Sequence, residues 1–381
     1  MSAKEALIFD VNSGASVSDA ADKHGIDRSC AYKWVKRYRE HGLSGLEEQS
    51  RRPEFSPNRV AQEFIDEILG LKKKHPAFGP AKLVAMVDER HGRHVMAVST
   101  AGEILLRHGK VARRRPRQRS PGRIEHPPFT VAGAGDSATA DFKGQIRLGD
   151  GTWCYPLTIA DPFSRYILAI EALESTHMAA TKAVFERVFR KYGLPRQQIT
   201  DNGTPFCSAV SLGGLTQLSR WWIEVGIEPV RIEPGRPDQN GVHERMHRTL
   251  KAWITQNPRH NRRSQQRSFD EFRNEFNHVR PHESLGQKPP ASAFREYRSF
   301  PSRVPPLEYN TNVDVRRVNA NGEIKWKGDQ IFISEVLIGA RIGLLQVGEN
   351  LQAIHLGPTR LGYLDLVERR VMNRRPPEQE N

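Results

Sequence analysis

Cysteine is nearly absent, with Cys30, Cys154 and Cys207 the only three in 381 residues. They are widely scattered and match no paired metal or disulfide spacing, which points to a reducing compartment. No apolar run reaches the roughly eighteen residues that a membrane span needs. The opening MSAKEALIFD lacks the apolar core of a signal peptide, so a cytoplasmic protein without membrane partners is expected. Acid is also in deficit: 44 acidic residues face 58 basic ones, a net charge of +14 with a pI near 9.9. That surplus draws polyanions through counterion release and makes nucleic acid the first partner to consider, a merely soluble basic protein being the alternative. The length exceeds one ordinary core and suggests two to four domains.

In VSDAADKHGIDRSCAYKWVKRY, residues 17 to 38, Val17, Ala20 and Ala21 and then Ala31, Trp34, Val35 and Tyr38 recur at helical spacing. Gly25 suits a turn between two helices, and Asp27 can accept the first free amides of the second, giving a helix-turn-helix within residues 1–50. The other face of the second helix carries Arg28, Ser29, Tyr32, Lys33, Lys36 and Arg37, donors for phosphates and base edges in a major groove. A solvated basic face is the plain alternative. A second helical unit is expected over 56–110. Val60, Phe64, Ile68 and Leu71 form one stripe, Leu83, Val84 and Val87 another, and Thr100 and Glu103 stand at capping-box spacing before a third helix. Two such readers in series recognise a longer site than either alone.

Residues 111–129, VARRRPRQRSPGRIEHPPF, place six arginines before the first acid among four prolines, which opposes a packed element and reads as a linker. Arg113, Arg114, Arg115 and Arg117 suit an arm along a DNA backbone, or a solvated tether. Strand patterns begin near residue 137: SATADFKGQIRL, TWCYPLTIAD and RYILAIEAL predict an antiparallel meander. A helix over 177–192, the strand QQIT ending on Asp201, a helix at about 213–225, the strand IEPVRI and a long helix from about 239 follow. This β-β-β-α-β-α-β-α order fits a mixed sheet with helices packed on it, over 130–300. Residues 308–370 contain an Asn-Gly pair between alternating segments, a hairpin signal, and predict a small β-barrel with extra nucleic-acid contacts, followed by a flexible tail at 371–381.

Three acids occupy informative positions: Asp141 within the first strand, Asp201 where a strand gives way to a turn, and Glu244 at the start of a helix. Converging carboxylates repel unless hard cations bridge them, and two magnesium ions so held activate a nucleophile and steady a leaving oxygen in phosphodiester displacement. The stretches TADFKG, TIADPFSRY, ITDNGTPF, PGRPDQNGVHERMHRTLK and RPHESLGQKPP resemble, in order, the integrase-core or DDE transposases of bacterial insertion sequences. The resemblance covers about 130–300, and more loosely the front end and the β tail. It implies a multidomain α/β chain with a ribonuclease H-like mixed-sheet core and catalytic, metal-binding acids at Asp141, Asp201 and Glu244. It also implies Mg2+, with Mn2+ substituting, in two-ion chemistry on double-stranded DNA, the element's terminal repeats and the target. A homo-oligomer assembled on DNA at the bacterial nucleoid is likewise implied. The 42 residues between Asp201 and Glu244 exceed the spacing commonest in that class, and SLGGLTQLSRWW lengthens the segment.

Asp161, also at a strand end, reads as structural, capping its turn. HERMH, residues 243–247, is also the H-E-x-x-H pattern of a zinc protease; His243 and His247 share a helix face, toward the edge of the apolar side, but no clear third ligand follows in the sequence. On the helical wheel Met246, Leu250, Trp253 and Ile254 lie on one side and Glu244, Arg248 and Lys251 on the other, so Arg248 and Lys251 are placed to hold a DNA strand, or are merely solvated. Asn202 and Gly203 suit the turn that presents Asp201, and His282 either contacts phosphate or closes a loop. Two further readings stand beside the transposase: a DNA-binding regulator with an inactive core, and a zinc protease through HERMH. A ribonuclease for RNA–DNA hybrids leaves the helix-turn-helix unexplained.

Overall fold

The computed structural model describes residues 2–48, 59–112, 133–233, 241–256 and 258–375. Arg113, Arg114, Arg115 and Arg117 lie outside them, as do the rest of the arginine-rich linker and most of the tail. The chain divides into two compact units, Met1–Gln62 and Glu63–Asn381.

The first unit contains α1 (Ala3–Asn12), α2 (Val17–Lys23) and α3 (Arg28–His41). Helix α1 escaped the periodicity reading, yet Ser2 and Glu5 form a capping box at its start. Its Leu7 and Ile8 bury against Ala20, Ala21, Ala31, Val35 and Leu46. Gly25 turns the chain at φ 63°, in the left-handed region, and Asp27 accepts the amides of Ser29 and Cys30 as the N-cap of α3. The helix-turn-helix forms as expected.

The second unit opens with α4 (Gln62–Lys74), α5 (Pro80–His91) and α6 (Val98–Arg107). Phe64, Ile68, Leu71, Leu83, Val84 and Val87 are buried, as the two stripes require, together with Ile104 and Leu105 of α6, but Val60 precedes α4 and is only half-buried. The capping box at Thr100 does not form. Ala97 holds the extended backbone that a cap needs (φ −65°, ψ 146°), so α6 starts earlier and Thr100 falls inside its first turn.

The core sheet comprises β1 (Ser137–Phe142), β2 (Ile146–Arg147), β3 (Trp153–Ala160), β4 (Ile167–Leu173), β5 (Gln197–Thr200) and β6 (Glu228–Arg231). Strand β3 pairs antiparallel with β1, β2 and β4, while β1–β5 and β5–β6 run parallel. The expected first strand is thus two pieces, β1 and β2. Alternation sends side chains to both faces. Ala138, Ala140, Leu157 and Ile159 pack with Val184, Phe185 and Trp222 of α7 (Met178–Tyr192) and α8 (Gln217–Glu224). On the other face Cys154, Ile167 and Ile170 meet Met246 and Leu250 of α9 (Gly241–Gln256) and Phe269, Phe272 and Phe276 of α10 (Arg262–His278). Helix α10 was not read from the sequence.

The C-terminal strands are β7 (Asp314–Arg317), β8 (Glu323–Trp326), β9 (Asp329–Phe332), β10 (Arg341–Gln346), β11 (Leu351–Leu356), β12 (Thr359–Asp365) and β13 (Arg370–Met372). They do not close into the expected barrel. Five of them form an antiparallel sheet in the order β13-β12-β11-β10-β7, and β8 and β9 pair only with each other. The hairpin signal is displaced too. The Asn321–Gly322 turn joins β7 to β8, but β7 pairs with β10, and the true hairpin turns at Lys327–Gly328, both at positive φ. Leu212 and Leu215, in the lengthened segment after Asp201, and Ile223 of α8 bury in the core of this sheet with Ile342, Ile354 and Leu364. The extra length is therefore where the core grips the C-terminal sheet.

Candidate active site

Sheet register and helix phase bring the three acids to one region. Asp141 lies on β1 opposite Thr158 of β3, Asp201 follows β5, the parallel neighbour of β1, and Glu244 is in the first turn of α9. Burial pushes the Asp141 carboxyl up to about 7, the charge of Asp201 adds to the rise, and Glu244 contributes less; the Phe142 amide and Lys143 act in the opposite sense. Glu244, Arg248 and Lys251 are exposed along one side of α9, as the wheel required. Asn202 donates to the Ile232 carbonyl at 2.8 Å, and the Gly203 amide donates to Asp201 Oδ1 at 3.1 Å. A Cβ at Gly203 would stand only 3.1 Å from Asp201 Oδ2, so the residue after Asn202 is held small.

The histidines of HERMH are buried rather than at an edge, with His243 1% and His247 6% exposed. A buried imidazole needs partners, and threonines supply them. The Thr158 hydroxyl donates its one proton to the Asp141 carbonyl at 2.8 Å, while His243 Nε2 and His247 Nε2 lie 2.6 and 2.7 Å from the same oxygen. Both rings must therefore donate from Nε2. The single proton of Thr139 lies between two acceptors, His243 Nδ1 at 2.9 Å and the Ala160 carbonyl at 3.2 Å, and a neutral His243 that donates from Nε2 takes it at Nδ1; His247 Nδ1 lies 3.5 Å from Asp141 Oδ2. Burial pushes His243 down to about 3 and His247 to about 2, so both rings are neutral.

Among the described residues, the one set of three potential ligand atoms within 4.8 Å of one another is that of Asp141, His243 and His247. The third ligand that the sequence lacked after HERMH is thus present in space, but the His243 nitrogens are both occupied by threonines. The three carboxylates stand further apart than this set. The signal for the network was available in sequence: two histidines on the face of Met246 and Leu250 had to be buried and satisfied.

Asp161 is structural, as read. It is 1% exposed, accepts the amide and hydroxyl of Ser164 at 2.6 and 2.8 Å, and is tethered by Tyr297 at 3.1 Å. On α3, Arg28, Ser29, Tyr32, Lys33 and Lys36 are exposed, whereas Arg37 is half-buried over the Trp34 ring. Arg28 is engaged by Asp22 at 3.0 Å, and the Ser29 amide serves the Asp27 cap. His282 closes a loop through its amide to Lys288, and its ring rests on Phe276.

Known proteins match this chain over several segments. Models described as integrase core domain match residues 132–237 and 225–290, a helix-turn-helix domain matches 3–54, and a homeodomain-like domain matches 30–105. An uncharacterized 39.2 kDa protein of insertion element IS476 from Xanthomonas euvesicatoria is 23% identical over 291 residues, 75% of this chain and 80% of that protein. The Gag-Pol polyprotein of Koala retrovirus is 33% identical over 101 residues, 26% of this chain but only 6% of the polyprotein. Among solved structures, a simian T-cell lymphotropic virus intasome chain overlaps 77% of this chain and 97% of its own, at 16% identity and a TM-score of 0.37. The HTLV-2 integrase catalytic core solved with magnesium overlaps 42% of this chain and 97% of its own, at 13% identity and a TM-score of 0.34. A ribonuclease H-like mixed sheet behind helix-turn-helix units defines the class of integrase-core proteins. Residues 132–290 carry an integrase core domain, which together with the insertion-element relative supports a DNA transposase or integrase function. Among the described residues no helix is long and apolar enough to cross a membrane.

Proposed function

We propose that the protein cuts DNA at the ends of a mobile element and joins the freed 3′ end to a target, with Asp141, Asp201 and Glu244 as its catalytic and metal-holding residues. The observation that carries this reading is the placement of Asp141 on β1, Asp201 after its parallel neighbour β5 and Glu244 in the first turn of α9, near enough that both carboxylates add to the burial that pushes the Asp141 carboxyl up. That is the state of a site with uncompensated negative charge. Oxygen donors of this kind fit hard divalent cations such as magnesium, with manganese as a substitute. When bound, two such ions lower the pKa of an attacking water or hydroxyl and neutralise the leaving oxygen.

The remaining tasks fall to the chain's own residues. Thr158 holds the Asp141 backbone through its carbonyl, and His243 and His247 fix Thr158 in turn, so that β1 presents the acid in one place. Arg248 and Lys251, exposed on the Glu244 side of α9, steady the strand through its phosphates. The exposed face of α3, Tyr32, Lys33 and Lys36 above all, reads the element end in a major groove. Two ends must meet for joining, so a homo-oligomer assembles on the DNA.

The test is nicking of a duplex bearing the flanking terminal repeats, with magnesium, manganese or zinc, for the native protein, Glu244→Gln and His247→Ala. Cleavage that needs magnesium or manganese and disappears in Glu244→Gln supports the assignment. Site-specific binding without cleavage in any metal makes the protein a regulator with an inactive core. Zinc-dependent activity lost with His247→Ala points to the histidine set instead.

A further inference from the structure

Beside the acids lies a cavity of about 570 Å³, lined in part by Val242, His243 and Arg245, the neighbours of Glu244 on α9. Its polar lining is strongly one-sided: Lys82, Arg165, Arg245 and Arg280 face only two carboxylates, Asp161 and Glu283. Asp161 is already committed, one oxygen to Ser164 and the other to Tyr297. The guanidiniums of Arg165 and Arg280 have neither an ion-pair nor a hydrogen-bond partner among the described residues, although Arg280 lies over the rings of Phe78 and Phe276 at 5.1 and 5.9 Å. Lys82, which donates to the Pro281 carbonyl, is pushed down to about 8 by burial and then by Arg280. Nε2 of His282, also in the lining, is buried with no partner.

Such an arrangement is costly. Asp161 attracts Arg165 and Glu275 attracts Arg280 without pairing with them; half-buried cations left without a direct partner weaken a fold, and a fold retains them where a ligand supplies the anion. The backbone carries a cost as well: Arg165 sits at φ 67°, where a side chain other than glycine is strained, so the turn after Asp161 spends energy to aim this arginine. Guanidinium forks match phosphate oxygens in pairs. Between the cations the lining turns apolar, with Val242, Met246 and Phe276 offering a surface that phosphate alone does not need. The volume is that of a small-molecule site rather than a groove for a duplex.

We propose that this cavity is a nucleotide subsite. It takes one nucleotide of the bound DNA, extruded from its stack, with the phosphate on Arg165 and Arg280, the base or sugar against the apolar wall, and His282 Nε2 completing the polar contacts. This deepens the transposase reading and rests on it for the identity of the strand, but the pocket is testable without catalysis. Extrusion of a terminal nucleotide frees the adjoining phosphodiester to reach Glu244 and its neighbours.

The experiment is calorimetric titration of the full chain with a deoxynucleoside monophosphate, the same nucleoside without phosphate, inorganic phosphate, and a short oligo-dT. Arg165→Gln, Arg280→Gln, Arg280→Lys and Glu244→Gln are compared with the native protein, with thermal midpoints confirming that each is folded. The monophosphate should bind, the bare nucleoside should not, and the oligonucleotide should bind more tightly. Arg165→Gln and Arg280→Gln should each weaken the monophosphate and the oligonucleotide about tenfold or more, and Arg280→Lys should restore part of the loss. Glu244→Gln removes a neighbouring negative charge and should not weaken this binding, which separates failure of the pocket from failure of the acid triad. Equal binding in the native protein and both glutamine variants, no binding at all, or inorganic phosphate binding as tightly as the nucleotide overturns the proposal.

Discussion

Removing the charge of Asp141 should stabilise the metal-free protein, and the effect should grow with pH. The carboxyl is raised from 3.8 to about 7 in the fold, with its side chain 23% exposed. A raised pKa means that the folded state holds its proton more tightly than the unfolded state. The associated stability is complete below pH 3.8, drains away as pH rises, and is gone above about 7. A shift of about three units corresponds to roughly 4 kcal/mol at most, and to about 2–4 kcal/mol once partial exposure is allowed for. Asparagine, neutral throughout, escapes this loss. For a unit of this size Asp141→Asn should raise Tm in chelator by about 4–8 °C near pH 8 and by about half as much near pH 5.5. Magnesium should then raise the Tm of the native protein toward that of the variant while leaving Asp141→Asn unmoved. Differential scanning calorimetry at the two pH values, with and without magnesium, decides the matter. An unchanged or lowered Tm for the variant at both pH values refutes the picture of a strained, unneutralised carboxylate.

His247→Ala should lower magnesium-dependent nicking by about 10–100-fold without abolishing it, because the alanine leaves Asp141 in place but removes one of the donors that fix Thr158 beneath its backbone; nicking rates at saturating metal measure this. Trp222, fully buried beneath β1 and β3, should cost about 3–5 kcal/mol when cut to alanine, read as a lowered midpoint for the second unit in urea. Tyr297→Phe removes the tether to Asp161 and the Ser137 carbonyl and should cost about 1 kcal/mol by the same assay. Lys33→Ala and Lys36→Ala should each reduce the slope of log affinity against log salt for terminal-repeat DNA by about one, measured by fluorescence anisotropy.

Local chemistry was legible in the sequence wherever a residue acts on its own neighbours. Asp27 caps α3, Gly25 turns the chain, Asp161 binds the amide three residues on, and Asp201 and Glu244 fall at the strand end and helix start that their flanking residues imply. Hydrophobic period was enough to place Glu244, Arg248 and Lys251 on the exposed side of α9. Net charge pointed to nucleic acid before any fold was in view. Where local rules compete, sequence alone chose wrongly: Thr100 carries capping chemistry, yet the extended backbone falls at Ala97, and an Asn-Gly turn joins strands that pair elsewhere. A small β-barrel was expected from a hairpin signal and the short strands after it, but closure depends on which edges meet, and β8 and β9 pair only with each other beside a five-stranded sheet. The His243–Thr158–His247 network, the pKa of Asp141 and the convergence of Lys82, Arg165 and Arg280 on one cavity join residues 80 to 200 positions apart, or more closely spaced ones held by strand register. Such contacts leave no periodic trace in the chain, because burial and electrostatics act through distance in space, and only the tertiary structure sets that distance.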